Sequence, residues 1–541
     1  MSAECYPITI LPHVSQLYRG YLAMGDSLGD SRVRNWYGTG PIADNWIKAS
    51  RQESGGGTDP ARLADVLARQ GTEFGASAEA MANIEKLRGG ARAVVTGQQV
   101  GLFGGPLLTL LKAATAVARA KEATRISGVD HVPVFWLATE DHDLAEVNQV
   151  SLLTKTTVET LRAELKATPA VEVGGIVLGD EIEQVLEQAG ELLGFAPVWE
   201  TLRECYAPGH TLGGAFARLM ARLFAGQGLI VMDASSREFH ALAKQTLRYA
   251  IEHADELEEA LLRRTEELET LGYHAQVKVA AEMSLLFLIS EHDGERLALR
   301  RTADGEWKAG RHVYPATALL EILEKQPERL SPNALLRPVF QDTILPTAAY
   351  IGGPAEIAYF AQSAVIYQAI LGRMTPVLPR FSATLLEPAI ATTMATHEVQ
   401  LPDAMTTAGD LALRLGARAM PIEAKRKLAA AGNALDAALA AATEYLGGID
   451  QSLGRTAEVS GSKMRYQMNR LRRMAASFEL QKEASLGKHA TAITLNVFPE
   501  AHPQERLLAG VWFLARYGEG LVERLVAEAA NRCPGHVIVR L

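Results

Sequence analysis

Two short apolar runs, residues 93–96 and 132–138, flank a segment, 107–120, whose apolar residues recur at helical spacing. A strand, a helix and a second strand in that order form a crossover unit, which makes the strands parallel and brings their carboxyl ends to one edge of a sheet. Ligands of open α/β sheets bind at that edge. Chemistry is therefore expected first in residues 97–106, which carry Gln98 and Gln99 among glycines, and in residues 139–143, which hold Glu140, Asp141, His142 and Asp143.

The rest of the chain supplies more strands to the same sheet. Residues 228–233 read as a third core strand, and 346–354 as another that runs into Gly352-Gly353-Pro354 and a helical stretch, 356–371; residues 376–380 add one more. Leu102-Phe103-Gly104-Gly105-Pro106 and Tyr350-Ile351-Gly352-Gly353-Pro354 echo each other. Each places glycines at a strand-to-helix turn, with proline near the helix start, where its missing N–H costs little. Two insertions interrupt the core, the second with a hairpin, 284–291 and 295–301, joined through His292-Asp293-Gly294, whose Asp-Gly pair suits a tight turn. Before Arg92 the chain reads as helical, with an amphipathic segment at 60–87 and a break at Ser54-Gly55-Gly56-Gly57.

Beyond residue 404 the composition shifts to Ala, Leu, Glu, Lys and Arg. Leu435, Leu439, Ala442, Leu446, Ile449 and Leu453 recur at spacings of three and four, as do Met464, Met468, Leu471, Ala475 and Phe478, which is the seam of a coiled coil. Gly447-Gly448, Gly454 and Gly461 are candidate turns or kinks, so two helices in an antiparallel arm are expected rather than one rod. This parsing divides the chain into a first part of the core (1–150), an insertion with a return helix (151–227), a core strand and helix (228–272), a second insertion with a β-hairpin (273–330), the second half of the core (331–404), the arm (405–490) and a segment packing back on the core (491–541).

Composition excludes several function classes. A chain of 541 residues corresponds to about three or four units of ~150 residues, and 48% hydrophobic residues suffice to pack them. A net charge of −9 argues against a nucleic-acid partner, which would need clustered Lys and Arg in excess. Three cysteines, Cys5, Cys205 and Cys533, without C-x-x-C spacing, indicate neither a disulfide framework nor a cysteine zinc site. No basic start precedes an apolar block, and no run reaches the ~18 apolar residues of a membrane span. A soluble, cytoplasmic protein without a membrane partner is expected.

The residues at the strand ends define the chemistry. Residues 97–105 can bring backbone N–H groups to an anion at a helix amino terminus, since glycine removes the Cβ and the helix dipole favours negative charge. They match neither G-x-G-x-x-G nor the phosphate loop, and tight packing explains the glycines equally well. The amides of Gln98 and Gln99, however, offer donors and acceptors that packing does not need. Glu140, Asp141, His142 and Asp143 are unfavourable together unless they meet a cation, an ammonium group or a reacting proton, and His142 suits proton transfer near neutrality. One aspartate is expected to cap the helix starting near Leu144. One histidine among carboxylates does not specify a metal, so no bound metal site is expected. Asn333, Arg337, Gln341 and Asp342 gather before the second Gly-Gly-Pro strand, and Arg380 ends the strand after it. Arginine grips a carboxylate or phosphate through two hydrogen bonds; a structural ion pair is the ordinary alternative. Ser460-Gly461-Ser462-Lys463-Met464 has a superficial likeness to a synthetase nucleotide signature, but its place in the heptads assigns Met464 to the seam.

Taken together, residues 96–106, residues 132–143, Leu335-Leu336-Arg337-Pro338 with Gln341-Asp342-Thr343 and Leu345-Pro346, and residues 352–360 resemble the bacillithiol-biosynthesis cysteine-adding enzymes, the BshC family. The arm, followed by Asn496-Val497-Phe498-Pro499 and Gln504-Glu505-Arg506, extends the resemblance over nearly the whole chain. The resemblance implies an α/β fold, a Rossmann-like parallel-sheet core with inserted connecting segments and a C-terminal α-helical coiled-coil arm that pairs two subunits as a homodimer. It also implies ligation of L-cysteine to the amine of glucosaminyl malate. On that expectation Glu140, Asp141 and Asp143 bind ammonium groups or a metal-nucleotide, and His142 accepts the proton of the attacking amine. Gly101, Gly104, Gly105, Gly352 and Gly353 hold phosphate or carboxylate, and Arg337 or Arg380 the malate. Gln98, Gln99, Asn333, Gln341, Asp342, Tyr350 and Glu356 complete the binding set. ATP with Mg is the expected source of carboxyl activation, through an adenylate or an acyl phosphate. The alternatives are another nucleotide-using transferase on the same fold and a non-catalytic coiled-coil assembly protein.

Overall fold

The computed structural model describes residues 4–25, 31–37, 39–42, 46–47, 58–166, 170–302 and 304–541; the glycine-rich break at 54–57 lies outside them. They divide into two compact units, Met1–Thr154 with Glu159–Thr384 and Glu505–Val539, and Leu385–Gln504 with Lys155–Val158 and Arg540–Leu541.

In the first unit the amphipathic segment before the sheet is two helices. α1 (Pro60–Phe74) buries Leu63, Val66, Leu67 and Phe74 and ends at Gly75; Ser77 then caps α2 (Ala78–Arg88) by accepting from the Ala80 amide. β1 (Arg92–Gln98), α3 (Leu108–Ser127) and β2 (His131–Leu137) form the expected crossover, with β1 and β2 parallel and Val95 opposite Val134. Ala93, Val94 and Val95 of β1 are fully buried, as a parallel sheet covered on both faces requires. α3 is buried nearly all round, and its alanines at 113, 114, 116 and 120 let it lie close to the strands.

β3 (Ile230–Asp233), α4 (Arg337–Ile344), β4 (Thr347–Gly352), α5 (Pro354–Leu371) and β5 (Val377–Pro379) follow. The sheet order is β5-β4-β1-β2-β3, all neighbours parallel. The chain thus builds outward from β1 to one side, then returns to place β4 on the other. β1 and β4 meet at the topological switch point, where a crevice opens at the strands' carboxyl ends.

Between β3 and β4 the expected hairpin, Met283–Ile289 with Arg296–Arg301, belongs to a larger antiparallel sheet of five strands. The added strands, Trp307–Ala309, His312–Tyr314 and Leu330–Pro332, have three residues each, too few to show an alternation in sequence. Near the chain ends, Glu4–Tyr6 pairs antiparallel with His536–Arg540, Cys5 opposite Val537. Cys5 is disulfide-bonded to Cys533, with Cα atoms 5.9 Å apart. This corrects the expectation of no disulfide: strand register joins residues 528 positions apart, which cysteine spacing cannot reveal. Cys205 is free and buried. No helix among the described residues is long and apolar enough to cross a membrane.

In the second unit α6 (Ile422–Ile449) and α7 (Gln451–Lys482) form the antiparallel hairpin, followed by α8 (Ala484–Val497). The turn lies at Asp450, whose carboxylate accepts from the amides of Ser452 and Leu453, and not at a glycine. Gly447 and Gly454 are instead where the helices touch: a Cβ on Gly454 would lie 2.9 Å from the Gly447 Cα. Of the seam residues, Ile449, Leu453, Met464, Leu471 and Phe478 remain between 43% and 65% exposed, because a hairpin covers only one side of each helix.

Candidate functional site

The carboxyl ends of β1, β2 and β4 open into a cleft of about 570 Å³. On its β4 side the organising residue is Lys112, in the second turn of α3. Its apolar helical neighbours turn it inward, where its buried ammonium donates to Gly97 O (2.6 Å), Gln98 Oε1 (3.1 Å) and Glu356 Oε2 (2.5 Å). Glu356, in the first turn of α5, also accepts from the Gly353 amide (2.7 Å) and the Tyr350 hydroxyl (2.6 Å). Burial lowers the Lys112 pKa more than Glu356 restores it, while burial of Glu356 is outweighed by Lys112, which holds that carboxyl below its ordinary range. At 2.5 Å, with three donors on the carboxylate, the two form an ion pair.

Three arginines share this side. Arg380 is held by Glu505 through Nη1 (3.1 Å) and Nη2 (2.6 Å), both side chains almost wholly buried. Burial alone would raise the Glu505 pKa, but Arg380 holds it down to about 2. Arg337 and Arg506 also line the cleft, and neither is ion-paired with a carboxylate among the described residues. Arg337 remains charged because Tyr359, Tyr350 and Asp141 outweigh its burial. The β4 side therefore carries four cations against two carboxylates, Glu356 and Glu505, each already engaged. On the β2 side the balance reverses: Gln99 Nε2 donates to Asp141 Oδ2 (3.0 Å) and Glu146 Oε2 (2.5 Å), two carboxylates on the cleft wall.

Of the residues expected from sequence, Gln98, Gln99, Asp141, Arg337, Gln341, Tyr350, Gly353, Glu356 and Arg380 line this cleft. Gly352 lies behind it as the end of β4, its carbonyl accepting from the Arg380 amide. The others are elsewhere, and each has a structural partner. Glu140 is buried against His240 Nε2 (2.8 Å). His142 is 43% exposed, its ring beside Phe287 and its Nδ1 3.5 Å from Arg296 Nη1. Asp143 caps the short helix Leu144–Val147 by accepting from the Glu146 amide. Asn333 accepts from the amides of Leu335 and Leu336, and buried Asp342 from Tyr367 (2.6 Å) and Gln341 (3.2 Å).

The turn at Gly101, Gly104 and Gly105 requires a correction. The Gly101 amide bonds to Gln99 O, Gly104 to Gly101 O and Gly105 to Leu102 O, while Phe103 packs edge-on against Tyr206. These amides close the turn on itself, so they are spent where an anion was expected to bind.

Behind the cleft lies a buried charge cluster around Glu140 whose other members sequence did not indicate. His240 is fully buried; burial works against its charge, but Glu140 outweighs burial and raises its pKa, while Glu140 is held low by His240 and Arg296. Glu172 is pushed up to about 8 by burial and by Glu140. Arg296 stacks 3.8 Å from the Phe287 ring centre and donates to Ser331 and Pro332, and its Nη1 lies 3.5 Å from His142 Nδ1, which brings the second insertion beside His142. Lys112, Glu146, Tyr359 and Arg506 were likewise missed. Lys112 alone left a signal, a charge within the apolar period of 107–118.

The family model described as "Bacillithiol biosynthesis BshC, N-terminal Rossmann-like domain" matches residues 1–381, and "Bacillithiol biosynthesis BshC, C-terminal coiled-coil domain" matches 383–541. A protein of Koribacter versatilis named "Putative cysteine ligase BshC" is 42% identical over 542 residues, covering 100% of both chains. Proteins of the same name from Solibacter usitatus and Geobacillus kaustophilus are 37% and 31% identical, covering 83% and 88% of this chain and 84% and 88% of theirs.

Proposed function

The chain belongs to the bacillithiol-biosynthesis BshC family, and on that premise we propose that it is a ligase joining L-cysteine to the amine of glucosaminyl malate. The observation that carries this is the polarity of the cleft, with the guanidinium groups of Arg337 and Arg506, which meet no carboxylate among the described residues, on one side and the carboxylates of Asp141 and Glu146 on the other. Glucosaminyl malate has two carboxylates at one end and an amine at the other, which suits such a cleft. Amide formation needs an activated carboxyl group, a neutral amine and both held together. In this reading Arg337 and Arg506 take the malate carboxylates, and Asp141 and Glu146 take an ammonium group. Asp141, the one member of residues 140–143 on the cleft wall, receives the proton that the attacking amine releases, in place of His142.

ATP with Mg, when bound, supplies the carboxyl activation. Arg337 and Arg506, charged and without a carboxylate partner among the described residues, suit phosphate as well as carboxylate. The test is direct: purified protein with L-cysteine, glucosaminyl malate and ATP is expected to form the cysteinyl amide with nucleotide cleavage, and Asp141→Asn to slow it by roughly 10²-fold, the contribution of a positioned proton acceptor. Absence of the amide, or an Asp141→Asn variant as fast as the parent, overturns the reading. The uncovered apolar positions Ile449 of α6 and Leu453, Met464, Leu471 and Phe478 of α7 support pairing of two copies through the arm in a cytoplasmic homodimer. A monomer mass by light scattering would remove that part.

A further inference from the structure

Gln98 and Gln99 are neighbours at the end of β1, and each is held by charged groups in only one of its two amide orientations. An ammonium group only donates hydrogen bonds, so the Gln98 atom 3.1 Å from Lys112 Nζ is its carbonyl oxygen. The Gln98 N–H₂ group is then left over; it makes no hydrogen bond among the described residues, and Gln98 lines the cleft. Gln99 is fixed the other way. Carboxylates only accept, so the atom between Asp141 and Glu146 is the nitrogen, and the Gln99 carbonyl is the group left over. Lys112 cannot turn aside, because its other two donors are spent on Gly97 and Glu356. Two consecutive and chemically identical side chains thus present opposite polarity: a donor on the side rich in cations and an acceptor on the side rich in carboxylates.

We infer that this pair reads the polarity of the substrate, Gln98 donating to an oxygen of its anionic end and Gln99 accepting from its amine or a neighbouring hydroxyl. Lys112 and the Asp141–Glu146 pair act as the positioning residues that set the two orientations. The inference rests on the proposed amino-sugar dicarboxylate and adds how the site distinguishes its two ends. A ligand entering in reverse would place acceptor against acceptor and donor against donor, leaving buried polar groups unpaired, which is how hydrogen-bonding sites reject a wrong orientation.

Gln98→Glu tests it without changing size. One oxygen still accepts from Lys112, while the other turns the donor into an acceptor. With the fold intact by thermal unfolding, the Km for glucosaminyl malate is expected to rise roughly 10- to 100-fold, the worth of a hydrogen bond to a charged group, while kcat changes about threefold or less. Calorimetry with the two halves as probes separates a polarity effect from a general one. Gln98→Glu is expected to weaken L-malate and spare D-glucosamine, and Gln99→Met to do the reverse. The double variant Lys112→Met with Glu356→Gln, which removes the lock without leaving a buried charge, is expected to follow Gln98→Glu. Equal loss of both probes in each variant, or loss of neither, overturns the inference. A parent protein that does not bind glucosaminyl malate overturns the substrate reading and the inference with it, whereas a parent that binds it beside unaffected Gln98→Glu and Gln99→Met variants overturns the inference alone.

Discussion

The two Gly-Gly-Pro turns are spelled alike and each joins a core strand to a helix, yet they differ in what their glycines do. At the first, Gly104 and Gly105 adopt φ of 87° and 68°, and their amides bond to carbonyls within the turn. Glycine is needed there for backbone conformation. At the second, Gly353 has φ −80° and ψ 175°, which any residue can adopt. Glycine is needed there for room: a Cβ would lie 3.2 Å from Glu356 Oε2 and 3.6 Å from Arg380 Nε. The second turn stands at the switch point between β1 and β4 and so faces the cleft, whereas the first closes on itself beside Tyr206. The same residues serve shape in one place and access in the other.

That contrast can be broken in order of expected effect. Arg380→Met beside the second turn leaves Glu505 charged and buried, and should cost about 3–5 kcal/mol of stability in chemical unfolding, as loss of one partner of a buried ion pair does; a loss below about 1 kcal/mol would mean that the pair is not what shapes that wall. Gly104→Ala comes next. It should cost about 1–3 kcal/mol through its left-handed backbone and leave the Km for glucosaminyl malate unchanged, so a shifted Km would place the first turn in the binding site after all. Gly353→Ala should reverse the signature, with stability changed by about 1 kcal/mol or less and Km raised severalfold as the methyl group displaces Glu356. Unchanged Km in that variant would erase the distinction between the turns.

The smallest effect separates the charges in the cleft from those behind it. Glu172 has its folded pKa raised from 4.5 to about 8, so the folded state holds the proton more tightly, and that stabilisation is present below pH 4.5 and lost as pH rises through about 8. His240, also raised above its ordinary 6.5, acts in the same direction. Glu172→Gln should therefore flatten the fall in thermal midpoint between those limits by removing one of these contributions, while a profile parallel to the parent's would show that Glu172 does not carry the linkage.

The parallel core and the helical arm were legible because their signals are local. Apolar runs marked β1, β2, β3 and β4, closed by glycine at β1 and β4 and by acidic or polar residues at β2 and β3, and three-four spacing marked α6 and α7. Short strands such as Trp307–Ala309 carried no periodicity and escaped notice. In the candidate site, nine of the expected residues do line the cleft, yet the cluster 140–143 divides: Asp141 reaches the wall, Glu140 turns to His240, Asp143 caps a helix and His142 leans on Phe287. Consecutive residues after a strand point in different directions, and composition alone does not say which faces the cleft.

By itself the sequence determined the fold class, the strand ends where chemistry gathers and the amides of Gln98 and Gln99, since periodicity, glycine punctuation and residue type act over a few positions. Only the tertiary structure decided which charges are neutralised and which remain for a ligand. Arg380 meets Glu505 across 125 residues and Glu140 meets His240 across 100, while Arg337 and Arg506 meet no carboxylate among the described residues. Electrostatic partnership depends on distance in space, and for these groups that distance is set by the order in which the sheet is wound.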